Sequence, residues 1–168
     1  MEGAWSIVLA AGSGSRFGGN KQLVKLGDQR VVDWSVTRAR SCCEGVVLVV
    51  NAEMIGESEL PQVDIVVAGG STRSESVRSG LEVLPQSAEI VVIHDAARPG
   101  APIQMYLSVI DAVLGGADAA VPGLPVTDTL KRVVDAPIGK KVAATVDRDT
   151  LMAIQTPQAF SKRMLEKA

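Results

Sequence analysis

The chain has 168 residues, is 46% hydrophobic, and sets 17 Lys and Arg against 19 Asp and Glu for a formal net charge of −2. That length suits one domain, the charge balance excludes the basic excess of a nucleic-acid binder, and no stretch is long and apolar enough to cross a bilayer. Glu2 and the missing basic n-region argue against a secretory signal, and the adjacent Cys42 and Cys43 cannot easily bridge each other, so reduced, partly buried thiols and a cytoplasmic protein are expected.

The first apolar run, Ile7–Leu9, breaks into Ala10-Ala11-Gly12-Ser13-Gly14-Ser15-Arg16-Phe17-Gly18-Gly19-Asn20-Lys21. A strand that opens into a Gly/Ser loop suits an anion, because small residues let backbone N–H groups converge on phosphate oxygens. Arg16 and Lys21 add full positive charge. Their side chains are long enough to reach the phosphates of a nucleotide, or the charge that develops at an α-phosphate under attack. The dinucleotide fingerprint is excluded, since Phe17 stands at its sixth position. The Walker loop is excluded too, since Asn20 intervenes before the lysine and Gln22 follows it. A surface loop with two solvated cations is the alternative these residues alone leave open.

Val32, Val36, Ala39 and Cys43 share one helical face, and Val46–Val50 and Asp64–Val67 read as strands. Ala68-Gly69-Gly70-Ser71-Thr72-Arg73-Ser74-Glu75-Ser76-Val77 opens the next helix, whose face continues through Leu81 and Leu84. Paired glycines let backbone approach a flat ligand closely, and Ser74 is the expected N-cap; a strand-to-helix turn that needs glycine geometry is the other reading. The strand Ile90–Ile93 leads into His94-Asp95-Ala96-Ala97-Arg98-Pro99. His94, the one histidine, reads as structural. Asp95 at a strand's carboxyl end is a hard oxygen ligand suited to Mg²⁺, or a cap for the following turn. Arg98 suits a surface ion pair or a second phosphorylated substrate. Tyr106, Ile110 and Val113 mark a third helix, and Ala119–Val121 a last short strand. Short apolar strands alternating with helices predict a mostly parallel sheet covered on both faces, with ligands bound beyond the carboxyl ends of its strands.

The remainder differs. After Leu124-Pro125-Val126-Thr127-Asp128-Thr129-Leu130, the stretch Lys131–Val146 has two β-prone arms around a turn-rich centre at Asp135–Gly139. A lone hairpin is marginal in water, so it is expected to pack on something. Thr145-Val146-Asp147-Arg148 follows, then a proline turn at Thr156-Pro157-Gln158-Ala159-Phe160, then a helix over Lys162–Ala168 that Ser161 is placed to cap.

Leu9-Ala10-Ala11-Gly12-Ser13-Gly14-Ser15-Arg16, followed by Lys21, resembles the first signature of the sugar-phosphate nucleotidyltransferases. Gly69-Gly70, Arg73 and Ser76-Val77 at their spacing, and His94-Asp95-Ala96-Ala97-Arg98-Pro99, narrow the resemblance to the 2-C-methyl-D-erythritol 4-phosphate cytidylyltransferase family. The resemblance implies a Rossmann-like α/β fold, a mostly parallel sheet with helices on both faces. It implies a single domain over residues 1–168, with a protruding β-hairpin arm at residues 131–148 that embraces a second subunit of a homodimer. It further implies transfer of CMP from CTP to 2-C-methyl-D-erythritol 4-phosphate with release of pyrophosphate, a step of non-mevalonate isoprenoid biosynthesis. Arg16 and Lys21 would be catalytic. Ala10, Ala11, Gly12, Ser13, Gly14, Gly69, Gly70, Ser76 and Asp95 would bind the nucleotide, and Asp95 would hold Mg²⁺ or another divalent cation. Arg98, Thr129, Arg148 and Thr156 would contact the acceptor, the last two from the partner subunit. Neither nucleic acid nor a membrane is an expected partner.

The chain departs from the family in having Asn20 where a proline is usual before the lysine. The family's later elements, with a lysine that contacts substrate phosphate, have no counterpart, so the chain is expected to be truncated relative to the functional enzyme. Two other readings stay open. One is a cytidylyltransferase for another sugar-alcohol phosphate such as ribitol 5-phosphate; the other is a nucleotide-binding fragment with impaired catalysis.

Overall fold

The computed structural model describes residues 1–12, 14, 19–56 and 60–167. It divides into two compact units, Met1–Val121 with Thr156–Ala168, and Pro122–Gln155.

In the first unit, strand β1 (Ala4–Leu9) leads through a short hairpin of β2 (Lys25–Leu26) and β3 (Gln29–Arg30) to helix α1 (Val31–Cys42). Strands β4 (Gly45–Val50) and β5 (Ile65–Ala68), helix α2 (Arg73–Glu82), strand β6 (Ile90–Asp95) and helix α3 (Ile103–Leu114) follow, and β7 (Ala119–Ala120) closes the run. Continuous valine and isoleucine make these strands, because both faces of each are to be buried. Val46, Val47, Leu48, Val49 and Val50 are all at 0% exposure. Alternate residues serve opposite faces. Val8, Leu48 and Val92 pack with Val32, Val36 and Ala39 of α1 and Tyr106 and Ile110 of α3. Ile7, Val47, Val49, Val91 and Ile93 pack with Val77 of α2 and Leu84. Helices therefore cover both faces, as expected.

The second unit, taken alone, is antiparallel. Strand β8 (Gly123–Pro125) pairs with β11 (Met152–Ile154), and β9 (Leu130–Asp135) pairs with β10 (Lys140–Val146). The expected hairpin is thus present, closed by an Ala136 N–H to Gly139 O bond with Gly139 at φ +72°. Its apolar residues are open: Val133 and Val142, paired across the strands, are exposed, and Ile138 at the tip is 95% exposed.

The chain then returns to the first unit as β12 (Gln158–Ser161), followed by α4 (Lys162–Leu165). The main sheet has the order β5-β4-β1-β6-β12-β7. The pairs β5–β4, β4–β1 and β1–β6 are parallel, whereas β12 runs antiparallel to both β6 and β7. Residues Gln158–Phe160 are therefore sheet, not the expected proline turn; their place is secured by Ala159, at 0% exposure, opposite Val92.

Two expected caps also change. Helix α2 is capped by Thr72 rather than Ser74. The Thr72 hydroxyl accepts the Glu75 N–H, and the Glu75 carboxylate accepts the Thr72 N–H. This reciprocal box needs an acidic residue three positions on, which Thr72 has and Ser74 lacks. Ser161 precedes α4 but its side chain makes no cap bond. Among the described residues no helix is long and apolar enough to cross a membrane.

Candidate active site

A cleft of about 850 Å³ opens at the carboxyl edge of the parallel strands. Register explains what meets there. Leu9 lies opposite Val49 on one side and Asp95 on the other, and Val50 lies opposite Ala68. The loop after β1, the glycines after β5 and the carboxylate ending β6 thus emerge side by side, and Ala11, Gly12, Lys21, Gly70, Ser76 and Asp95 all line the cleft. Open α/β sheets bind ligands at such an edge.

The loop is pinned at several points. The Ala10 N–H donates to Val49 O at 2.7 Å, which anchors Ala10, at 4% exposure, between the cleft-lining Leu9 and Ala11. Gly14 adopts φ +62°, and a side chain there would collide with the carbonyl oxygen of Gly19, so the position requires glycine. Lys21 heads a short 3₁₀ turn, Lys21–Leu23, whose next residue, Gln22, is buried and donates to the carbonyls of Ala10 and Gly12. Ser13 and Arg16 lie outside the described residues.

Gly69 brings the second motif against this loop. A Cβ there would stand 2.5 Å from Ala11 Cβ, 2.7 Å from Ser76 Oγ and 3.0 Å from Val49 Cγ1. Only a bare backbone fits between them. Beyond it, Glu75 accepts from the Ser71 hydroxyl at 2.6 Å and from the Thr72 N–H at 3.0 Å, and these bonds hold its carboxyl below the usual range.

Asp95 is clasped by two guanidinium groups. Arg73 Nε is 3.1 Å from Oδ1 and Arg98 Nε is 3.4 Å from Oδ2. Among the described residues, Lys21 makes three cations against one carboxylate in the lining of the cleft, which therefore attracts anions. Spacing alone gives Arg73 no role: its position in the glycine motif is plain, but nothing there reveals that its partner ends strand β6. Gln22 and Asn51, which also lines the cleft, gave no sequence signal.

Behind Asp95 lies a buried polar joint. The Asp95 N–H donates to Thr156 Oγ1 at 3.3 Å, and the same hydroxyl is 3.1 Å from His94 Nδ1. His94 is at 0% exposure, tilted against the Tyr106 ring, and burial pushes its pKa down to about 4, so it is neutral at pH 7. Thr156 is 5% exposed and belongs to the same unit as Asp95. Thr129 and Arg148 belong to the second unit, where the Arg148 guanidinium donates to Thr127 O at 2.6 Å.

Fold and cleft together define a Rossmann-like α/β protein with an anion-attracting site at the carboxyl edge of its sheet. Residues 5–168 match the family of 2-C-methyl-D-erythritol 4-phosphate cytidylyltransferases, and the chain belongs to that family. It is 39% identical to the bifunctional enzyme IspD/IspF of Solidesulfovibrio magneticus, covering 98% of this chain but 44% of that protein. It is 39% identical to the 2-C-methyl-D-erythritol 4-phosphate cytidylyltransferase of Streptomyces coelicolor, covering 97% of this chain and 66% of that one. The chain thus spans less than half of the first relative and about two thirds of the second. Among solved structures it resembles 4-diphosphocytidyl-2C-methyl-D-erythritol synthase of Anaerococcus prevotii, with TM-score 0.79 and 28% identity over 98% of this chain and 74% of that one. The Thermus thermophilus cytidylyltransferase gives TM-score 0.74 and 29% identity over 96% and 72%.

Proposed function

We propose that this chain transfers CMP from CTP to 2-C-methyl-D-erythritol 4-phosphate and releases pyrophosphate. The observation that carries the reading is the convergence of Lys21, Arg73, Arg98 and Asp95 with the Gly12 loop and the Gly69-Gly70 turn in one cleft. An acceptor phosphate oxygen attacks the α-phosphorus in line. The bond from that phosphorus to the bridging oxygen breaks, and its electron pair leaves with pyrophosphate. The attacking phosphate is already ionised near neutral pH, so the reaction needs no general base. Neutral, buried His94 fits that role-free position. The residues supply positioning and charge. Backbone at Ala10–Gly14 and Lys21 hold the triphosphate, and Arg16 joins Lys21 in catalysis. Gly69, Gly70 and Ser76 make a confined slot for a pyrimidine and its ribose.

Among the described residues no group of three or more His, Cys, Asp or Glu is placed to hold a metal. A single cleft carboxylate nonetheless suits Mg²⁺, which keeps several waters and takes its remaining ligands from substrate phosphates. Asp95 would hold that ion, which would offset charge on the triphosphate; Arg73 and Arg98 then exchange the carboxylate for phosphate oxygens.

Arg98, Thr129 and Arg148 contact the acceptor, Arg148 from the partner of a homodimer joined through the hairpin arm. Thr156 joins them as an acceptor residue, and within its own chain its hydroxyl, engaged by His94 and the Asp95 N–H, also positions Asp95. The free, buried Cys42 and Cys43 suit a reducing, cytoplasmic setting.

The test is pyrophosphate release with CTP and Mg²⁺, comparing methylerythritol phosphate with ribitol 5-phosphate. Turnover with the first acceptor alone is expected. Preference for ribitol phosphate would reassign the acceptor, and CTP binding without turnover on either would leave a nucleotide-binding module.

A further inference from the structure

We infer that Gln22 sets the polarity at the start of the phosphate loop, turning the Ala10 and Gly12 carbonyls away from the cleft so that the Ala11 N–H faces the bound anion. Gln22 is 4% exposed, a costly place for a carboxamide unless its hydrogen bonds are made. Its Nε2 donates to Ala10 O at 2.9 Å and to Gly12 O at 3.3 Å. Two acceptors facing one nitrogen use both of its donors. A trans peptide is planar, so its C=O and the next residue's N–H point in opposite directions. Fixing the Ala10 carbonyl on Gln22 therefore sends the Ala11 N–H the other way. Ala11 and Gly12 line the cleft and Gln22 does not. The carbonyl dipoles that would repel a phosphate are thus turned onto a buried side chain, and the opposite peptide edge is presented to the site.

The same contact fixes Lys21. Gln22 follows it in the Lys21–Leu23 turn, so the two bonds index the lysine's backbone against the loop it works with. Gln22 is a positioning residue. It touches neither nucleotide nor acceptor and acts through Ala10, Gly12 and Lys21. The inference rests on the reading that this loop receives a triphosphate.

The experiment compares CTP with cytidine, which shares the base and ribose but has no phosphate, by calorimetric or NMR titration of the whole chain. Gln22→Met keeps the side chain's length and removes both donors. It is expected to weaken CTP about tenfold, the worth of one to two buried hydrogen bonds. Cytidine affinity should stay within about twofold, since no phosphate is read. Gln22→Glu keeps the shape and sets carboxylate oxygens against the two carbonyls; it should weaken CTP further than Gln22→Met, again sparing cytidine. Thermal melts run alongside identify a variant that fails to fold, in which case the other variant decides. Equal losses for CTP and cytidine would reduce Gln22 to general packing, and unchanged CTP affinity in both variants would overturn the inference. Failure of the unaltered chain to bind CTP would instead remove the nucleotide reading itself, and this inference with it.

Discussion

Lys21 and His94 stand at the two extremes of what a single residue does in this cleft. Lys21 is exposed, lines the cleft, and sets a cationic side chain beside the backbone dipoles of Ala11 and Gly12. A preorganised charge aimed at developing negative charge is worth ~3 kcal/mol, so Lys21→Ala should lower turnover by on the order of 10²-fold while CTP affinity falls less. Steady-state kinetics with unchanged kcat would remove Lys21 from catalysis. His94 is the opposite, a buried ring kept neutral. Its pKa falls from 6.5 to about 4 on folding, chiefly through burial. The unfolded chain therefore binds the proton first as pH falls. Stability carried by the neutral ring is complete above pH 6.5 and is lost progressively down to about pH 4, by ~3 kcal/mol in all. Urea midpoints at pH 7 and pH 5 should separate more for the unaltered protein than for His94→Gln. Parallel shifts in both proteins would mean that other groups carry the acid sensitivity.

At the level of elements, Gly69 is where two of them touch. Gly69→Ala would drive a methyl onto Ala11 Cβ at 2.5 Å, between strand ends that cannot both yield. Overpacking of this kind costs ~1–3 kcal/mol. The expected result is a lower thermal midpoint with weaker CTP binding, whereas a normal midpoint and normal affinity would show that β5 can move away from β1. Such contacts were partly legible in the sequence. Strands β1, β4, β5 and β6 are legible within a few residues, because each contains a short apolar run with Val or Ile. The glycines were visible as loops that follow strands. Strand β12 was not, because Gln158-Ala159-Phe160-Ser161 has no strong period of its own and owes its structure to β6 and β7 on either side. The clasp on Asp95 was hidden for the same reason, since Arg73 and Asp95 become neighbours only when β5 and β6 align on the sheet. Thr72 was legible in principle: the Thr-x-x-Glu spacing announces the cap that Ser74 was expected to supply.

For the whole molecule, the open question is what covers the second unit's apolar residues. Leu124, Val133, Val134, Val142 and Met152 are exposed in an antiparallel unit too thin to bury them itself. Apolar exposure of that kind, on both sides of the β9–β10 ladder, marks an interaction surface, and the proposed partner is a second copy. If Arg148 serves the neighbouring acceptor site, then mixing Arg148→Ala subunits with Lys21→Ala subunits should restore part of the activity. In a mixed dimer one site receives both defects and the other receives neither. If Arg148 acts within its own chain, every site carries one defect, and the mixture would be no more active than the separate variants.

The second unit leaves the first after Val121 and returns at Thr156, and the Gln155 N–H donates to Pro122 O at 2.8 Å across its two ends. Energetically this makes a long excursion behave as a short one. Strand β12 must find β7 to complete the sheet, and an unstructured tether would impose a closure penalty that grows by about 0.6 kcal/mol with each doubling of its length. Once β8 and β11 have zipped, their joined ends deliver Thr156 next to the point of departure, and the remaining search is brief. If β8 and β11 zip first, the second unit acts as a splint for assembly of the sheet. Disrupting the β8–β11 ladder, for instance with Ala153→Pro, should slow the folding phase in which β12 docks and leave the pairing of β1 with β4 almost untouched. Pulsed hydrogen exchange on β12 and β4 amides would read the two events separately. Protection that appears in both strands at unchanged rates would mean that β12 docks without help from its splint.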